Sequence, residues 1–411
     1  MNLRQFDRRL VTIILIVFVQ MLGAAMILPI LPLYAQNEFM LEPQWITLLN
    51  TTFFGAQFLA APYLGRLSDR NGRVPILIVS QIGTVIAFIM LGLAPNVWIL
   101  FFARLLDGIT GGNFIVAQAY IADITPPEKK TVSFGYVMAA FGVGFVLGPA
   151  IGGFMAASFG PRIPYFLAAG AATIVVLLTV FTLNETVTPE IQAENRASAQ
   201  KGINFRQILS QRTLIYILLI AFFVQMTLGI LQSTLSLFTD AVLLPDASEE
   251  RVQIGLGIIF GAVGIAQIVT QGFLIRRLLP RLGEMGLIIL AGGLIISGLL
   301  LLGSATNVAV AGLSSILFAV GVGFALPSIN SMATSVANES IKGQILGVVQ
   351  SSSNLGVIVS SSIAGVLFSL SPRFPFYLGM VIMLVSFVPI FLLRNRLIWR
   401  KQHLTPAASD S

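Results

Sequence analysis

The chain is 411 residues long, 56% apolar and only 10% charged, with a mean hydropathy of +0.90; those values exclude an ordinary soluble domain. Its net charge of +7 would suit a nucleic-acid binder, but the basic residues sit in short clusters between long apolar runs, which excludes that partner. There is no cysteine, and the only histidine, His403, is in the polar tail, so disulfides, thiol chemistry and an intramembrane histidine site are excluded as well.

Apolar runs of about 20 residues read as transmembrane helices. Twelve are predicted, over 10–33, 45–64, 75–94, 97–122, 131–157, 164–183, 213–238, 252–275, 284–303, 308–332, 342–367 and 374–394. The first is too long, and too well followed by further spans, to be a cleaved signal peptide. Twenty of the 24 Lys and Arg residues fall on the side of the predicted membrane that holds both termini and the 184–212 loop. The positive-inside rule assigns that side to the cytoplasm.

Between spans 2 and 3 lies the charged loop Gly65-Arg66-Leu67-Ser68-Asp69-Arg70-Asn71-Gly72-Arg73-Val74-Pro75. Gly65 and Gly72 permit tight backbone geometry, and Asp69 is expected near a helix N-terminus, where the dipole favours an anion. Arg70 and Arg73 can bridge to an acid on a neighbouring helix end, with Asp123 and Glu185 as candidates. In span 4, Arg104 is the only basic residue predicted within the membrane, and Asp107 shares its helix face. Ionisable groups at that depth face a cavity or a partner. In span 5, Gly144, Gly148 and Gly152 recur every four residues beside Pro149 and Gly153, a ridge that admits close helix packing; Gly257 and Gly261 in span 8 offer a complementary groove.

The 184–212 stretch divides the spans six and six, and the halves share punctuation. Gly160-Pro161-Arg162-Ile163-Pro164-Tyr165-Phe166-Leu167 matches Ser371-Pro372-Arg373-Phe374-Pro375-Phe376-Tyr377-Leu378 at an offset of 211. A degenerate copy of the 65–75 loop is read at Gly272–Arg277, pairing Gly65 with Gly272 and Arg70 with Arg277 at an offset of 207, and it carries Arg276 where Asp69 stands. Span 10 has Ser315 and Phe318 as the neutral counterparts of Arg104 and Asp107 in span 4.

The remaining intramembrane polar groups are mostly amides. Gln20, Gln57, Asn113, Gln118, Gln225, Gln232, Asn330, Gln350 and Asn354 are the candidates for a cavity that binds by hydrogen bonds and apolar contact, and Asn50, Gln267 and Gln271 belong to the same set. Phe53, Phe54, Phe222 and Phe223 are candidate aromatic walls. Spans 6, 9 and 12 have no amide and span 3 has only Gln81. An amide facing lipid is costly, so the amide-bearing helices must face protein or water.

These features together resemble the major facilitator superfamily, within it the drug:proton antiporter branch that includes the tetracycline exporters. The loop matches the family pattern Gly-x-Leu-x-Asp-Arg-x-Gly-Arg throughout, 144–153 matches the antiporter-associated Gly-x-x-x-Gly-Pro-x-x-Gly-Gly, and Arg104 with Gly108 matches the fourth-span Arg-x-x-x-Gly. The resemblance implies an all-α integral membrane fold of twelve transmembrane helices in two pseudo-symmetric six-helix bundles, 1–183 and 213–400, with a cytoplasmic linker over 184–212 and a tail over 401–411. It also implies that spans 3, 6, 9 and 12 lie outermost, that Gly65, Asp69, Arg70, Gly72 and Arg73 form a cytoplasmic latch for the outward-facing state, and that Arg104 serves proton coupling, with Asp107 beside it. Tetracycline exporters carry membrane acids where Gln20 and Ala87 stand here, so a tetracycline–metal cargo is not expected.

The expected function is export of a small, moderately apolar molecule by proton antiport and alternating access, in the cell membrane, by a monomer without cofactor or metal. An uptake symporter or facilitator of the same fold is the alternative, and a non-transporting membrane sensor or partner subunit is the alternative from another class. An enzyme is not expected, because no helix carries paired carboxylates, a metal-ligand cluster or a nucleophile–base pair.

Overall fold

A computed structural model of the chain describes residues 8–111, 113–125, 130–186, 211–335 and 342–404. Those residues are helical throughout their ordered elements, with no strand among them. The first half holds α1 (Arg8–Phe39), α2 (Pro43–Asn71), α3 (Arg73–Leu93), α4 (Val97–Thr110), α5 (Asn113–Ile124), α6 (Lys130–Phe159) and α7 (Ile163–Thr182). The second holds α8 (Arg212–Phe238), α9 (Glu249–Val269), α10 (Ile275–Gly303), α11 (Val308–Ser335), α12 (Lys342–Leu370) and α13 (Phe374–Leu404). Two π segments, Thr239–Leu243 and Thr270–Leu274, extend α8 and join α9 to α10.

Among the described residues, nine stretches are long and apolar enough to cross a membrane. Three further crossings complete the expected twelve. Gly283, at φ 66° and ψ 173°, breaks the 55-residue stretch Glu249–Gly303 into two. The other two are α2, whose last turns are charged, and the α4–α5 pair. Span 4 is expected unbroken over 97–122, yet α4 stops at Thr110 and α5 starts at Asn113. Gly111 closes α4 as its C-cap, its amide donating to the Gly108 carbonyl, and glycine is a common cause of such interruptions. Of the expected 184–212 linker, residues 187–210 lie outside the described residues, as do 405–411 of the tail.

Helix ends follow local chemistry. The Asn96 side chain accepts from the Ile99 amide (3.2 Å) to cap α4, and Asn307 accepts from Val310 (2.9 Å) to start α11. Gly72 (φ 103°) separates α2 from α3, in the left-handed region that glycine alone enters freely.

These paired features expose the internal repeat. Asn96 with Asn307, the starts of α4 and α11, the starts of α7 and α13, and Gly72 with Gly283 are all 211 residues apart. The loop copy is therefore at Gly283. The expected copy at Gly272–Arg277 is a misregistration, because Gly272 sits inside a continuing helical path. Pro280 occupies the Asp69 position and Glu284 the Arg73 position.

At the periphery α3 packs on α7 and α10 on α13. Their outer rows, Val79, Ile82 and Ile86 on α3, Ile174, Leu177 and Val180 on α7, Leu300 on α10, and Val381, Leu384 and Val388 on α13, are apolar and exposed. Such continuous apolar rows are intolerable in water and natural against lipid. The chain is a multi-pass membrane protein of twelve helices in two pseudo-symmetric bundles. The start of α1 and the end of α13 lie on one face, termed the terminal face; the opposite one is the far face. The larger apolar core runs through both halves, joining Tyr34, Leu100 and Tyr165 to Leu235, Phe238 and Phe376. A separate core of Ile13, Leu77, Val116, Tyr120 and Val137 holds the terminal side of the first half.

Candidate functional site

The charged loop forms a knot at the terminal face. Here α2 runs on to Asn71, so Asp69 lies in the last turn of α2 and not at a helix N-terminus. An acid is disfavoured at that end of the dipole, and Arg73 offsets it with an ion pair to Asp69. Arg73 also donates from Nε to Asp123 (3.1 Å) and from Nη1 to Ser68 Oγ (2.8 Å). The N-terminus of α3 is taken by Glu185, whose carboxylate accepts from the amides of Arg73 (2.9 Å) and Val74 (3.1 Å). Thr186 Oγ1 closes the knot by donating to Asp123 (3.0 Å). A Cβ on Gly72 would collide with the Glu185 carboxylate, whereas one on Gly65 would meet open space. The structure thus brings Asp69, Gly72, Arg73, Asp123 and Glu185 together; Arg70 stands in the same last turn of α2.

The second charged site is deep in the first half. Arg104 and Asp107 are 6% and 5% exposed, with Nη1 2.8 Å from the carboxylate. The Arg104 guanidinium also stands 4.1 Å from the centre of the Phe53 ring, a favourable cation–π stack away from water. Phe53 is committed to that stack and not to an open cavity wall. A Cβ on Gly108 would overlap the Phe53 carbonyl, so glycine there is what lets α4 lie against α2. Asp107 is ten residues into α4, a depth of about 15 Å at 1.5 Å per residue, near the middle of a hydrocarbon layer about 30 Å thick.

The glycine ridge of α6 has two faces. Cβ atoms on Gly144, Gly148 and Gly152 would strike the backbone of α1 between Phe18 and Met26, so the four-residue ridge docks α1. The expected groove of Gly257 and Gly261 does face α6, but at Pro149, Ala150 and Gly153 beside the ridge. Gly153 approaches the Gln253 carbonyl and Gly257, and Gly257 faces Pro149 and Ala150. One helix face therefore holds the first half together and the adjacent face seals it to the second.

That seal continues along the far face. Gln36 donates to Asp240 (3.2 Å), Asn37 donates to Glu249, and Asn50 donates to Ser233 (3.4 Å). Thr51 shares hydrogen bonds with Ser361 (3.0 Å) and Ser362 (3.2 Å). Gly365 lies so close to Gln44 and Thr47 that no Cβ would fit. All these contacts fall in the far-face ends of α1, α2, α6, α8, α9 and α12. Most of their residues carry no sequence signal, because single Ser, Thr and Gln side chains near span ends are common.

The candidate cavity amides are scattered. Gln350 donates to Asn354 (2.9 Å) on α12, as their spacing suggests. Gln57 donates to the Gly111 carbonyl (3.2 Å), steadying the break between α4 and α5. Gln20 lines a small pocket with Gln81, Thr84 and Phe88 of α3 and Val175 of α7, inside the first bundle and not between the halves. Gln225 keeps a buried, unbonded Oε1. Gln118 and Gln232 are half-buried and Asn330 is exposed; the Asn113 side chain lies outside what is described.

Comparison with known proteins places this geometry. The family model described as Major Facilitator Superfamily matches residues 13–350 and, in a second match, 257–408. The class E tetracycline resistance protein of Escherichia coli is 31% identical over 363 residues, covering 85% of each chain. Multidrug resistance protein 2 of Bacillus subtilis (strain 168) is 28% identical over 414 residues, 98% of each. Among solved structures, a bacterial homolog of the human lysosomal transporter Spinster, inward-facing and occupied, superposes with a TM-score of 0.76 at 17% identity, over 94% of this chain and 96% of that one.

Proposed function

The chain belongs to the Major Facilitator Superfamily, and from that premise we propose that it exports small, moderately apolar molecules in exchange for protons by alternating access. The observation that carries this reading is the buried Arg104–Asp107 pair. Its pseudo-symmetric positions hold Ser315 and Phe318, so an ion pair is not what the fold needs there. A carboxylate at mid-membrane depth, held by one arginine, has a reason to be present if it takes and releases a proton during the cycle.

The basic excess assigns the terminal face to the cytoplasm. The far-face seal then closes the outside, and the conformation described is the cytoplasm-facing one. Rocking the bundles would open that seal and bring the 65–73 latch against the second half. Gln225, Gln232, Gln350 and Asn354, on α8 and α12, are the cargo-binding amides in this reading; no metal or cofactor takes part, and one chain suffices. Relatives named for tetracycline and multidrug resistance support a drug-like cargo.

The test is uptake into inverted vesicles of a panel of dyes and antibiotics, tetracycline included, with and without an inward-acid pH gradient. Gradient-dependent accumulation of at least one apolar compound is expected. Accumulation indifferent to the gradient would remove proton antiport and leave a facilitator.

A further inference from the structure

The polar groups around Asp107 continue beyond its ion pair. Tyr34 of α1 and Tyr165 of α7 are 1% and 0% exposed, with ring centres 5.5 Å apart. Among the described residues the Tyr165 hydroxyl has no hydrogen-bond partner and that of Tyr34 has only the Arg162 guanidinium beside it, while Arg104 Nε is likewise buried and unbonded. Arg104 of α4 is the cation acting on Tyr165 across the buried core that holds Ala103 and Tyr165. At the other end the Arg162 guanidinium stands 5.9 Å from the Tyr34 ring centre. Arg162 in turn pairs with Glu38 (3.2 Å), and both are about half-exposed at the far face. A file of polar side chains therefore runs from the far face, through Glu38, Arg162, Tyr34, Tyr165 and Arg104, to Asp107.

The second half is an internal control. At the position of Tyr165 it has Phe376, which packs edge-on against Phe238 at the end of α8 with ring centres 4.9 Å apart; both rings are fully buried. The fold thus fills the place of Tyr165 without a hydroxyl, and gives it an aromatic neighbour that has none, in the half that also lacks the ion pair. Leaving a hydroxyl buried and unpaired costs about 1–3 kcal/mol. Packing does not explain why the first half keeps two.

We propose that Tyr34 and Tyr165 relay protons between the far face and Asp107. The inference rests on the antiport reading. A phenol can accept a hydrogen bond and donate one, so each oxygen takes a proton from the outer side while its own passes inward through bridging water. Asp107 gains one proton, the outer surface loses one, and both phenols end as they began. The titratable or charged groups facing this path are Glu38, Arg162, Arg104 and Asp107, with Asp240 and Glu249 at its outer end on Gln36 and Asn37 of α1. The helices packed on α4 add none at this depth: Tyr63, Arg66, Asp69 and Arg70 of α2 and Arg73 of α3 lie towards the terminal face.

The test needs no cargo. Asp107 protonation after an acid pH jump is followed in purified protein by its infrared carboxyl band, identified as the band lost in the neutral pair Arg104→Gln/Asp107→Asn. In Tyr34→Phe and Tyr165→Phe, which copy the second half, the band should reach its usual amplitude about tenfold or more slowly. Melting temperatures should match the parent's. A parent-like rate in both variants overturns the relay, as does a marked fall in melting temperature, which would make the hydroxyls structural. If no band is lost in the neutral pair, Asp107 takes no proton and the relay fails. Antiport itself is still decided separately, by the vesicle gradient.

Discussion

Arg104 and Asp107 illustrate how a buried pair resists single changes. The two side chains satisfy each other at 2.8 Å, and the guanidinium leans on Phe53. Removing one charge strands the other, at a typical cost of about 3–5 kcal/mol, whereas removing both can be close to neutral. Asp107→Asn is therefore expected to lower the melting temperature in detergent markedly. The double variant Arg104→Gln/Asp107→Asn should recover most of that loss and still fail to use a pH gradient. Recovery of both stability and gradient-driven transport would remove the pair from coupling. Sequence reached these two residues because charge inside an apolar run is conspicuous. It did not reach Tyr34 or Tyr165, since a tyrosine near a span end is ordinary. The one available signal was the Tyr165-to-Phe376 difference inside an otherwise matching Pro-Arg-x-Pro repeat.

At the scale of elements, α6 carries the most constrained surface. Gly148 has the Leu22 carbonyl 2.7 Å, and the Met26 amide 3.0 Å, from where a Cβ would sit. Backbone cannot yield as a side-chain tip can, so Gly148→Val is expected to exceed the roughly 1–3 kcal/mol of ordinary overpacking. Gly142→Val, with nothing within 4 Å, should be silent. Yield of folded protein by size-exclusion chromatography and the melting temperature check both; a tolerated Gly148→Val would show that α1 can back away. Element positions were largely legible, because each crossing is an apolar run closed by glycine, proline or a capping asparagine. The break in span 4 was less so: its glycines were visible, but nothing nearby marked the apolar run as interrupted. The loop copy was misplaced by four residues, close to one helical turn. A shift of one turn keeps the same face of a helix aligned, so matching charges at Arg276 and Arg277 looked as good as matching the turn at Gly283. The positive φ of Gly72 and Gly283, together with the capping asparagines and helix starts that share their offset of 211, separates the two registers. Partners of the charged loop were readable for a simpler reason: Asp123 and Glu185 are acids at span ends on the basic side.

For the whole molecule, what joins the halves decides how they can part. The far-face seal uses neutral or singly charged hydrogen bonds from Gln36, Asn37, Asn50 and Thr51, together with close backbone approaches at Gly153 and Gly365. Neutral hydrogen bonds contribute about 0.5–1.5 kcal/mol each and those to a carboxylate about 1.5–3 kcal/mol, so a handful sums to several kcal/mol, comparable with what separates interconverting states. A seal that weak could open in each turn of the proposed cycle; a covalent one could not. The chain has no cysteine, so Thr51→Cys with Ser361→Cys supplies a single candidate pair, at positions whose hydroxyls are now 3.0 Å apart. Oxidation should form the disulfide readily, since side chains at that separation need little backbone movement to bridge. Gradient-driven uptake should then fall to the level of empty vesicles and return on reduction, while each single variant transports as the parent does. Full transport by the oxidised pair would mean that the far face need not open, and rocking of the two bundles would have to be abandoned.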